Sequence, residues 1–557
     1  MMKMKRTLML LLITFIVIGV VLTSCSKQSP NNVNNDGENV SAEQKEEDDI
    51  IKEEAPTKVT WFRSGIDRKL VQNWSDTLWI KELEEKMNVD IEFQGPKSGD
   101  DYNQAASIML ASGTLTDIFS YDWNRYDGGL AAAIDDGIVV NVGEKYRDKM
   151  PTWFALLDEN DHIRRAVTLD DGTSALFCHV EYNMKRGAYN GLGIRADWLA
   201  KLNLPVPTTI DELYNTMVAF RDDDPNENGE TDEIPFSDNG GWLPSIRCLV
   251  PMWGLQYQEI QLDPSNSDKI TYWTLVNDGE SFIDCVTTLN KWYEEKLIDP
   301  EFSSQDGDAL NAKITSDLVG ITHAFPTEYA TWNEALRQTI PEASFEGLVP
   351  IVGPAGKPYG WNNAHVRPAA SNEGAVITTQ AEKDGSIDAC LRLIDFMYTD
   401  EGSTIINWGK EGISYIIDSD GKKSWSDEVA NDPEFGLFDK VWEYALPTYG
   451  GWPKIMSYDA WASIELTVPE SLEAHENYWK ADTGILTPPL ILSSSESKEY
   501  ATIMNDVNTA IEENFIKFII GTRPLSEAPD FIKEIKDMRI EEAMSMYQAA
   551  YDRYMSK

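Results

Sequence analysis

A chain of 557 residues, of which 42% are hydrophobic and 10% aromatic, is too long for one compact core and suits two lobes. Its formal net charge of −45 argues against nucleic acid or an anionic lipid surface as a partner. Solubility outside the cell is a sufficient reason for that acidity.

The N-terminus has the pattern of an export signal. Basic residues within the first six positions precede an apolar stretch, 8–22, which is too short for a comfortable membrane span. The stretch ends at Leu22-Thr23-Ser24-Cys25, which resembles a bacterial lipoprotein signal. We therefore expect cleavage of residues 1–24 and attachment of lipid, palmitate included, to Cys25. An uncleaved anchor helix is the alternative, and both place the chain at the extracellular face of the membrane.

Residues 25–56 are rich in Asn, Ser, Asp, Glu and Lys and have no apolar periodicity, so they predict a disordered tether. Without the three basic signal residues the net charge becomes −48. The cysteines after Cys25 are widely spaced in apolar surroundings, which favours buried free thiols over disulfides. They are Cys178, Cys248, Cys285 and Cys390.

Short apolar strands then alternate with amphipathic helices, the pattern of a mixed α/β fold. The predicted elements in chain order are strand 59–62, a helix capped by Ser75 or Asp76, strand 89–93, helix 107–111, and strand 117–119 leading into Ser120-Tyr121-Asp122-Trp123. Ligands collect at the carboxyl ends of strands in open sheets. Arg63, Ser64, Tyr121 and Trp123 are therefore expected near a cleft.

A helix through Phe220 is predicted from the capping-box spacing of Thr209 and Glu212. Directly after it comes the run Asp224 to Pro235, with oxygen-bearing side chains at positions 1, 3, 5, 9 and 10 and Gly229 at position 6. Alternate inward residues and a glycine at the sharp turn are how a chain surrounds a hard cation.

The second half of the chain is increasingly helical. A helix from Ile387 to Tyr398 is expected to break at residues 400–402, and a second helix follows. The last hundred residues are mostly helical and close with a helix from Glu541 to Tyr554. There is no internal repeat.

Four stretches together resemble the extracellular solute-binding proteins of family 1, the ABC-transporter lipoproteins of Gram-positive bacteria. Among that family, the chain resembles the alginate-oligosaccharide-binding proteins. The matching stretches, in order, are Leu78 to Pro96, Gly193 into the acidic loop, Gly374 to Gly409, and Phe518 to Tyr554.

The resemblance implies a two-lobed periplasmic-binding-protein-like fold with the ligand in the cleft between the lobes. Crossings are implied near 178–183, near 372–378 and around residue 445. The predicted lobes are 57–180 with 374–445, and 181–373 with 446–557. A monomer would close on a carbohydrate by hinge bending and present it to an ABC permease, with no chemistry on the ligand.

The loop departs from an EF-hand because position 12 is Pro235, which offers no side-chain oxygen. The alginate-binding proteins have a loop of this shape with bound calcium. We therefore predict a structural Ca²⁺ site in loop 224–235; an acidic turn without metal is the alternative. The predicted ligands are Asp224, Asn226, Asn228, the carbonyl of Glu230, Asp232 and Glu233.

Aromatic side chains expected in loops are candidates for stacking on sugar rings, with nearby polar groups for the hydroxyls. Tyr458 and Trp461 are three residues apart and would share a helix face. The candidate ligand contacts are Arg63, Tyr121, Trp123, Glu181, Tyr182, His323, Phe325, Trp361, Trp452, Tyr458 and Trp461.

Two other classes of protein are weighed against a transport binder. A secreted calcium-containing lyase or glycosidase would need paired carboxylates, which 93 acidic residues always allow, but no G-x-S-x-G, H-E-x-x-H or phosphate-loop motif is present. A surface adhesin would favour repeats. An acidic sugar would need clustered basic residues, for which Arg63, Arg125, Arg195 and Arg367 are available, and neutral sugars fit equally well.

Overall fold

The structure, a computed structural model, describes residues 55–97, 99–239, 246–360, 373–448 and 451–557. The predicted signal segment, Cys25 and the tether up to residue 54 lie outside the described residues, as do Trp361 and Arg367. The strands are β1 Thr57–Phe62, β2 Val89–Gln94, β3 Ile118–Asp122, β4 His179–Val180, β5 Gly191–Arg195, β6 Ile234–Phe236, β7 Ile260–Asp263, β8 Asn266–Tyr272, β9 Val319–Ala324, β10 Phe345–Gly347, β11 Glu373–Ile377, β12 Tyr415–Ile417, β13 Lys423–Trp425 and β14 Lys454–Ile455.

Helices follow most of these strands, and several end the chain. They are α1 Leu78–Met87, α2 Gly99–Ser112, α3 Gly129–Asp135, α4 Pro151–Glu159, α5 Asp161–Val167, α6 Ala196–Leu202, α7 Ile210–Asp222, α8 Glu280–Glu294, α9 Gly307–Thr315, α10 Pro326–Arg337, α11 Thr379–Asp384, α12 Ile387–Met397, α13 Asp400–Trp408, α14 Asp427–Ala430, α15 Leu437–Val441, α16 Tyr458–Glu465, α17 Pro469–Tyr478, α18 Ser494–Ile519, α19 Ala528–Asp537 and α20 Ile540–Ser556. None of the described helices is long and apolar enough to cross a membrane.

The first sheet has the strand order β11-β3-β1-β2. Strand β1 is parallel to both β2 and β3, whereas β11 is antiparallel to β3. The carboxyl ends of β1, β2 and β3 therefore share one edge, where ligands collect in open sheets. The strands predicted at 59–62, 89–93 and 117–119 are confirmed as β1, β2 and β3.

The second sheet has the order β10-β5-β9-β6. Strand β6 is parallel to β9, and β5 is antiparallel to it. The carboxyl ends of β6 and β9 therefore share an edge, which we call the cleft edge. The start of β6 and the end of β5 lie at the opposite edge.

Two short strands link the regions around these sheets. Strand β4, within the predicted first crossing, pairs in parallel with β14, so that His179 is opposite Lys454 and Val180 is opposite Ile455. Leu446 and Trp452, which precede β14, pack in the hydrophobic core of the first sheet.

The long C-terminal helices complete the core of the second sheet. Phe515 and Phe518 of α18 and Phe531 of α19 pack against Phe282 of α8. This confirms the predicted helical C-terminus. The cysteines predicted to be free are so in the structure, and Cys178, Cys285 and Cys390 are buried, while Cys248 is partly exposed.

Two predicted helix boundaries are wrong. Neither Ser75 nor Asp76 caps α1, because both lie in a short 3₁₀ helix and the extended Thr77 precedes α1 instead. The break predicted at residues 400–402 falls earlier, because Thr399 accepts a hydrogen bond from the Gly402 amide through Oγ1 and starts α13 at residue 400.

Candidate ligand cleft and metal loop

The carboxyl end of β1 meets the crossing strands through three residues. Arg63 follows β1, and its Nη1 donates a hydrogen bond to the Gly451 carbonyl at 2.7 Å. The Gly451 amide in turn donates to Nδ1 of His179 at 3.1 Å. We call the region around these residues the cleft floor.

Arg63 lies over Trp452, with its guanidinium carbon 3.9 Å from the ring centroid. Trp452 is fully buried, and its ring also contacts Trp61, Trp74 and Trp79. Trp452 is therefore a core residue, and its ring packs against the guanidinium of Arg63. Its indole nitrogen has no hydrogen-bond partner in the described part of the chain.

Glu181 is the carboxylate of the cleft floor. It is 6% exposed, and its Oε1 accepts a hydrogen bond from Nε of Arg186 at 2.9 Å and forms an ion pair with Nη2 at 2.8 Å. Its Oε2 is buried and has no partner among the described residues. Burial raises the pKa of Glu181, whereas the charges of Arg186 and Lys454 lower it.

The other titratable groups of the floor are held neutral or engaged by neighbours. Burial, together with the charges of Arg186 and Lys454, lowers the pKa of His179 to about 3. Since Nδ1 of His179 accepts from Gly451, the neutral ring carries its proton on Nε2, 3.7 Å from the Glu181 Oε1. Lys454 is fully buried and donates to the Leu446 carbonyl; burial lowers its pKa well below the usual range.

An aromatic pair lies at the cleft edge of the second sheet. Phe325 follows β9 and stacks on Tyr189, with centroids 6.0 Å apart and planes 9° from parallel. Both rings are partly exposed, unlike most tryptophans of the chain. His323 contacts Phe325 edge-on at 5.4 Å and lines a cavity of about 40 Å³ with Asn190.

Acidic groups surround this edge. Burial raises the pKa values of Asp238, Glu328 and Glu465 to about 7. Glu328 accepts from the Phe325 amide at 2.7 Å, and Glu465 bonds the Thr327 side chain. The positive charge of Arg186 lowers the pKa of Glu465. Glu465, at the cleft edge, is therefore close to Arg186 of the cleft floor.

Several of the residues predicted to contact the sugar instead contact one another in clusters of packed side chains. Tyr121 and Trp123 contact each other at 5.8 Å and are both buried around β3. Tyr458 and Trp461 share α16 as predicted, with centroids 5.6 Å apart. His475 links that pair to the backbone, because its ring nitrogens bond Tyr458 and the Ala188 carbonyl.

A depression in the described surface lies away from both of these regions. It has a volume of about 860 Å³ and is lined by residues that include Val139, Arg147 and Thr379. Thr379 follows β11, which is antiparallel to β3, so the depression is at the edge opposite the carboxyl ends of the first sheet. Arg147 is paired with Asp158 at 2.7 Å.

The acidic loop lies between α7 and β6. Thr209 and Glu212 form the predicted capping box at the start of α7. Within the loop, Asp224 accepts hydrogen bonds from the amides of Asn228 and Gly229, each at 3.1 Å. Gly229 has a φ of +80°, which explains the glycine at the turn.

Glu233 is the unusual member of this loop. It is 8% exposed, and neither carboxylate oxygen accepts a well-formed hydrogen bond in the described residues, although the backbone amides of Glu233 itself and of Asn226 are close enough to lower its pKa. Burial, and after it the charges of Asp224 and Asp232, raise its pKa. No group of three or more His, Cys, Asp or Glu side chains gathers at one point anywhere in the described ranges.

The loop lies far from the cleft edge, because it precedes the start of β6, whose first residue pairs with the first residue of β9. Arg195, the last residue of β5, lies at the edge opposite the cleft edge, as the loop does. It is fully buried between Asp197 and Asp317. Arg125 is paired with Asp122 at 3.3 Å. Arg195 therefore does not join Arg63 in a basic cluster.

No family model matches the chain. It is 24% identical over 494 residues to the fructooligosaccharide ABC transporter substrate-binding protein FusA of Streptococcus pneumoniae, which covers 86% of this chain and 88% of FusA. The homologues of this chain are substrate-binding proteins. They serve ABC transporters and are not enzymes.

Solved structures of such substrate-binding proteins share the fold. The alginate-binding protein AlgQ2, in a crystal structure without calcium ion, has a TM-score of 0.68 and 22% identity, covering 90% of this chain and 98% of AlgQ2. An EF-hand mutant of S. pneumoniae FusA in complex with fructo-nystose has a TM-score of 0.69 and 20% identity, covering 90% and 100%. The predicted two-lobed periplasmic-binding-protein-like fold is confirmed.

Sequence reasoning missed part of the candidate cleft. The only sequence signal for Tyr189 as a cleft residue was that it is aromatic. The only signal for Arg186 was its position five residues after Glu181. Asp238, Glu328 and Glu465 could not be selected from 93 acidic residues. Tyr182, predicted together with Glu181, is 55% exposed and lies beside Glu159 and Asp400, away from Arg186.

Proposed function

We propose that this protein is an extracellular, lipid-anchored substrate-binding protein that captures an oligosaccharide and delivers it to an ABC permease. The observation that carries the proposal is the stacked pair Tyr189 and Phe325 beside a floor in which the buried Oε2 of Glu181 has no hydrogen-bond partner among the described residues. Aromatic planes and hydrogen-bonding groups are what a sugar ring needs. The relationship to FusA supports an oligosaccharide as the ligand.

Binding requires no reaction. A sugar ring would stack on Phe325 and Tyr189, while its hydroxyls bond the polar groups of the floor. The two lobes would close by bending at the crossing strands β4 and β14 and would reopen at the permease. The sequence predicts the third crossing around residue 445, but Leu446 and Trp452 pack in the core of the first sheet. We therefore propose the lobes 57–180 with 374–452 and 181–373 with 453–557.

The anchor is the Cys25 thiol after removal of residues 1–24, with the segment up to residue 56 as tether. Metabolic labelling with a palmitate analogue in a bacterial host should mark the full chain and not the Cys25→Ala variant. Labelling of both would overturn the anchor. Release of the variant into the medium is the expected companion result.

We also propose that loop 224–235 holds a structural Ca²⁺. Support comes from the buried Glu233 carboxylate without partners, since a buried charge of this kind needs a cation or a proton. Further support comes from two similar proteins, since FusA has been solved as an EF-hand mutant and AlgQ2 in a form without calcium ion. Three carboxylates repel one another, so only a cation would draw Asp224, Asp232 and Glu233 together, and the bound ion would brace this lobe.

The binding function is tested with the purified chain and a panel of oligosaccharides, with melting temperature and reaction products followed in parallel. Saturable stabilisation with intact sugar supports the proposal, whereas turnover would favour a calcium-containing lyase or glycosidase. Phe325→Ala should weaken binding about tenfold or more, because it removes a stacking plane. The matched control is Phe438→Ala, at an exposed phenylalanine of α15, which should keep full affinity.

A further inference from the structure

The two oxygens of the Glu181 carboxylate have different surroundings. Arg186 bonds Oε1 through two nitrogens, at 2.9 and 2.8 Å, and so fixes the orientation of the carboxylate. Oε2 is buried without a partner in the described chain. An unpaired buried acceptor of this kind is costly, so a hydrogen-bond donor is expected beside it.

The basic side chains of the floor already bond other groups. Arg186 bonds Glu181, Arg63 donates to the Gly451 carbonyl and stacks on Trp452, and Lys454 donates to the Leu446 carbonyl. The buried Oε2 of Glu181 is an acceptor. A ligand group placed there must therefore donate a proton in a hydrogen bond and cannot be an anion.

The position of Glu181 suits contact with a ligand between the sheets. It follows β4, whose first residue, His179, is linked through Gly451 to Arg63 at the carboxyl end of β1. On the other side, Arg186 lies near Glu465, which bonds Thr327 just beyond the carboxyl end of β9. Glu181 thus lies between the ligand-collecting edges of both sheets.

We propose that Oε2 of Glu181 accepts a hydrogen bond from a hydroxyl of an uncharged sugar residue and thereby makes the cleft selective for neutral oligosaccharides over uronates. Arg186 is the positioning residue, because it turns Oε2 toward the ligand. The inference rests on the proposed function and names its substrate class. A uronate carboxylate at this point has no proton to donate and would be repelled by Glu181.

The experiment compares three proteins on an array of neutral glycans (kestose, nystose, maltotriose and milk tetrasaccharides) and uronates (trigalacturonate and alginate trimers). Wild type should bind at least one neutral glycan, and it should bind every uronate more weakly than that glycan. Glu181→Gln keeps the shape but places an amide NH₂ where the acceptor was, and should weaken binding about 10- to 100-fold. Glu476→Gln, the same change at an exposed residue that pairs with Lys185, should bind as wild type does.

Other results of the array would contradict either the inference about Glu181 alone or the proposed function as well. A uronate bound as tightly as any neutral glycan, or unchanged affinity in Glu181→Gln, would overturn the inference while leaving the oligosaccharide binder intact. An array on which wild type binds no glycan would count against the proposed function and the inference together.

A second measurement does not depend on the folding of the variant. Monodeoxy analogues of the best neutral glycan are titrated into wild-type protein, and one of them should lose about tenfold or more in affinity. Equal affinity for every monodeoxy analogue would mean that only water bonds Oε2, and the inference would fail. Matching melting temperatures of unliganded wild type and Glu181→Gln would exclude a general loss of structure.

Discussion

The side-chain amide of Asn226 donates a hydrogen bond to the backbone carbonyl of Asp317, 3.1 Å away. The carboxylate of the same Asp317 binds the buried guanidinium of Arg195. The acidic loop is thereby fastened to an ion-pair cluster inside the second sheet. Order in the loop and order at this sheet edge should depend on each other.

Chelation should expose the role of Glu233. Removing calcium from wild type should lower its melting temperature by a few degrees, since an ion at 100 times its Kd stabilises by about 2.7 kcal/mol. Glu233→Gln should lose this response, and its chelated form should be at least as stable as chelated wild type, because no unpaired charge is then buried. Differential scanning calorimetry with and without EDTA measures both.

The control for that experiment is Glu227→Gln, in the same loop but outside the proposed ligand set, where the exposed side chain faces Lys201 at 3.5 Å. It should respond to EDTA as wild type does. An undiminished EDTA response in Glu233→Gln would contradict the proposed site.

Arg195 should be among the most costly residues to remove. It is fully buried and charged between Asp197 and Asp317, so Arg195→Met would leave two carboxylates unpaired. We expect a loss of about 3–5 kcal/mol in the free energy of unfolding. Urea denaturation followed by tryptophan fluorescence measures it, and Arg539→Ala, which breaks only exposed pairs with Glu499 and Glu542, should shift the midpoint little.

The pH dependence of stability should report Asp238. Burial raises its folded-state pKa from the ordinary 3.8 to about 7, so between these values the folded protein binds more protons than the unfolded chain. Its contribution to stability therefore falls as pH rises from about 4 to 7 and is constant above. Asp238→Asn should match wild type near pH 4 and exceed it at pH 8, by a few kcal/mol at most.

Urea midpoints of wild type and Asp238→Asn at several pH values test this expectation. The exposed Asp90→Asn serves as control and should follow the wild-type profile. Parallel profiles for wild type and Asp238→Asn would show that Asp238 titrates normally.

Trp452 should matter for stability before it matters for the ligand. Trp452→Ala removes a fully buried ring that contacts Trp61, Trp74 and Trp79, which should cost about 3–5 kcal/mol. Loss of sugar affinity with an unchanged melting temperature would instead indicate direct contact with the ligand. Phe438→Ala is the exposed control.

Local patterns in the sequence predicted the elements that local interactions decide. The alternation of Val89, Ile91 and Phe93 and the reciprocal bonds of Thr209 and Glu212 each lie within a few residues, and both predictions are confirmed. The wrong boundary at α1 arose because several polar residues could start that helix and only packing selected Thr77.

The candidate site was less predictable because it is assembled from distant parts of the chain. Arg63 meets Gly451, and Tyr189 meets Phe325, only after both sheets have formed. Burial of Trp452 and Asp238 is likewise a property of the packed chain, and no neighbouring residue signals it. Trp452 was therefore selected as a sugar platform for its residue type, whereas the structure gives it a place beneath Arg63.

Strands β4 and β14 pair over only two residues each, and Glu181 directly follows β4. In the proposed mechanism a ligand bonded to Glu181 would be attached to the segment that must twist when the lobes separate. The free energy of the hydrogen bond between the ligand and Glu181 would then directly oppose twisting of the hinge strands when the lobes separate. Changes at Arg186 should accordingly appear in the rate at which the sugar leaves more than in the rate at which it arrives.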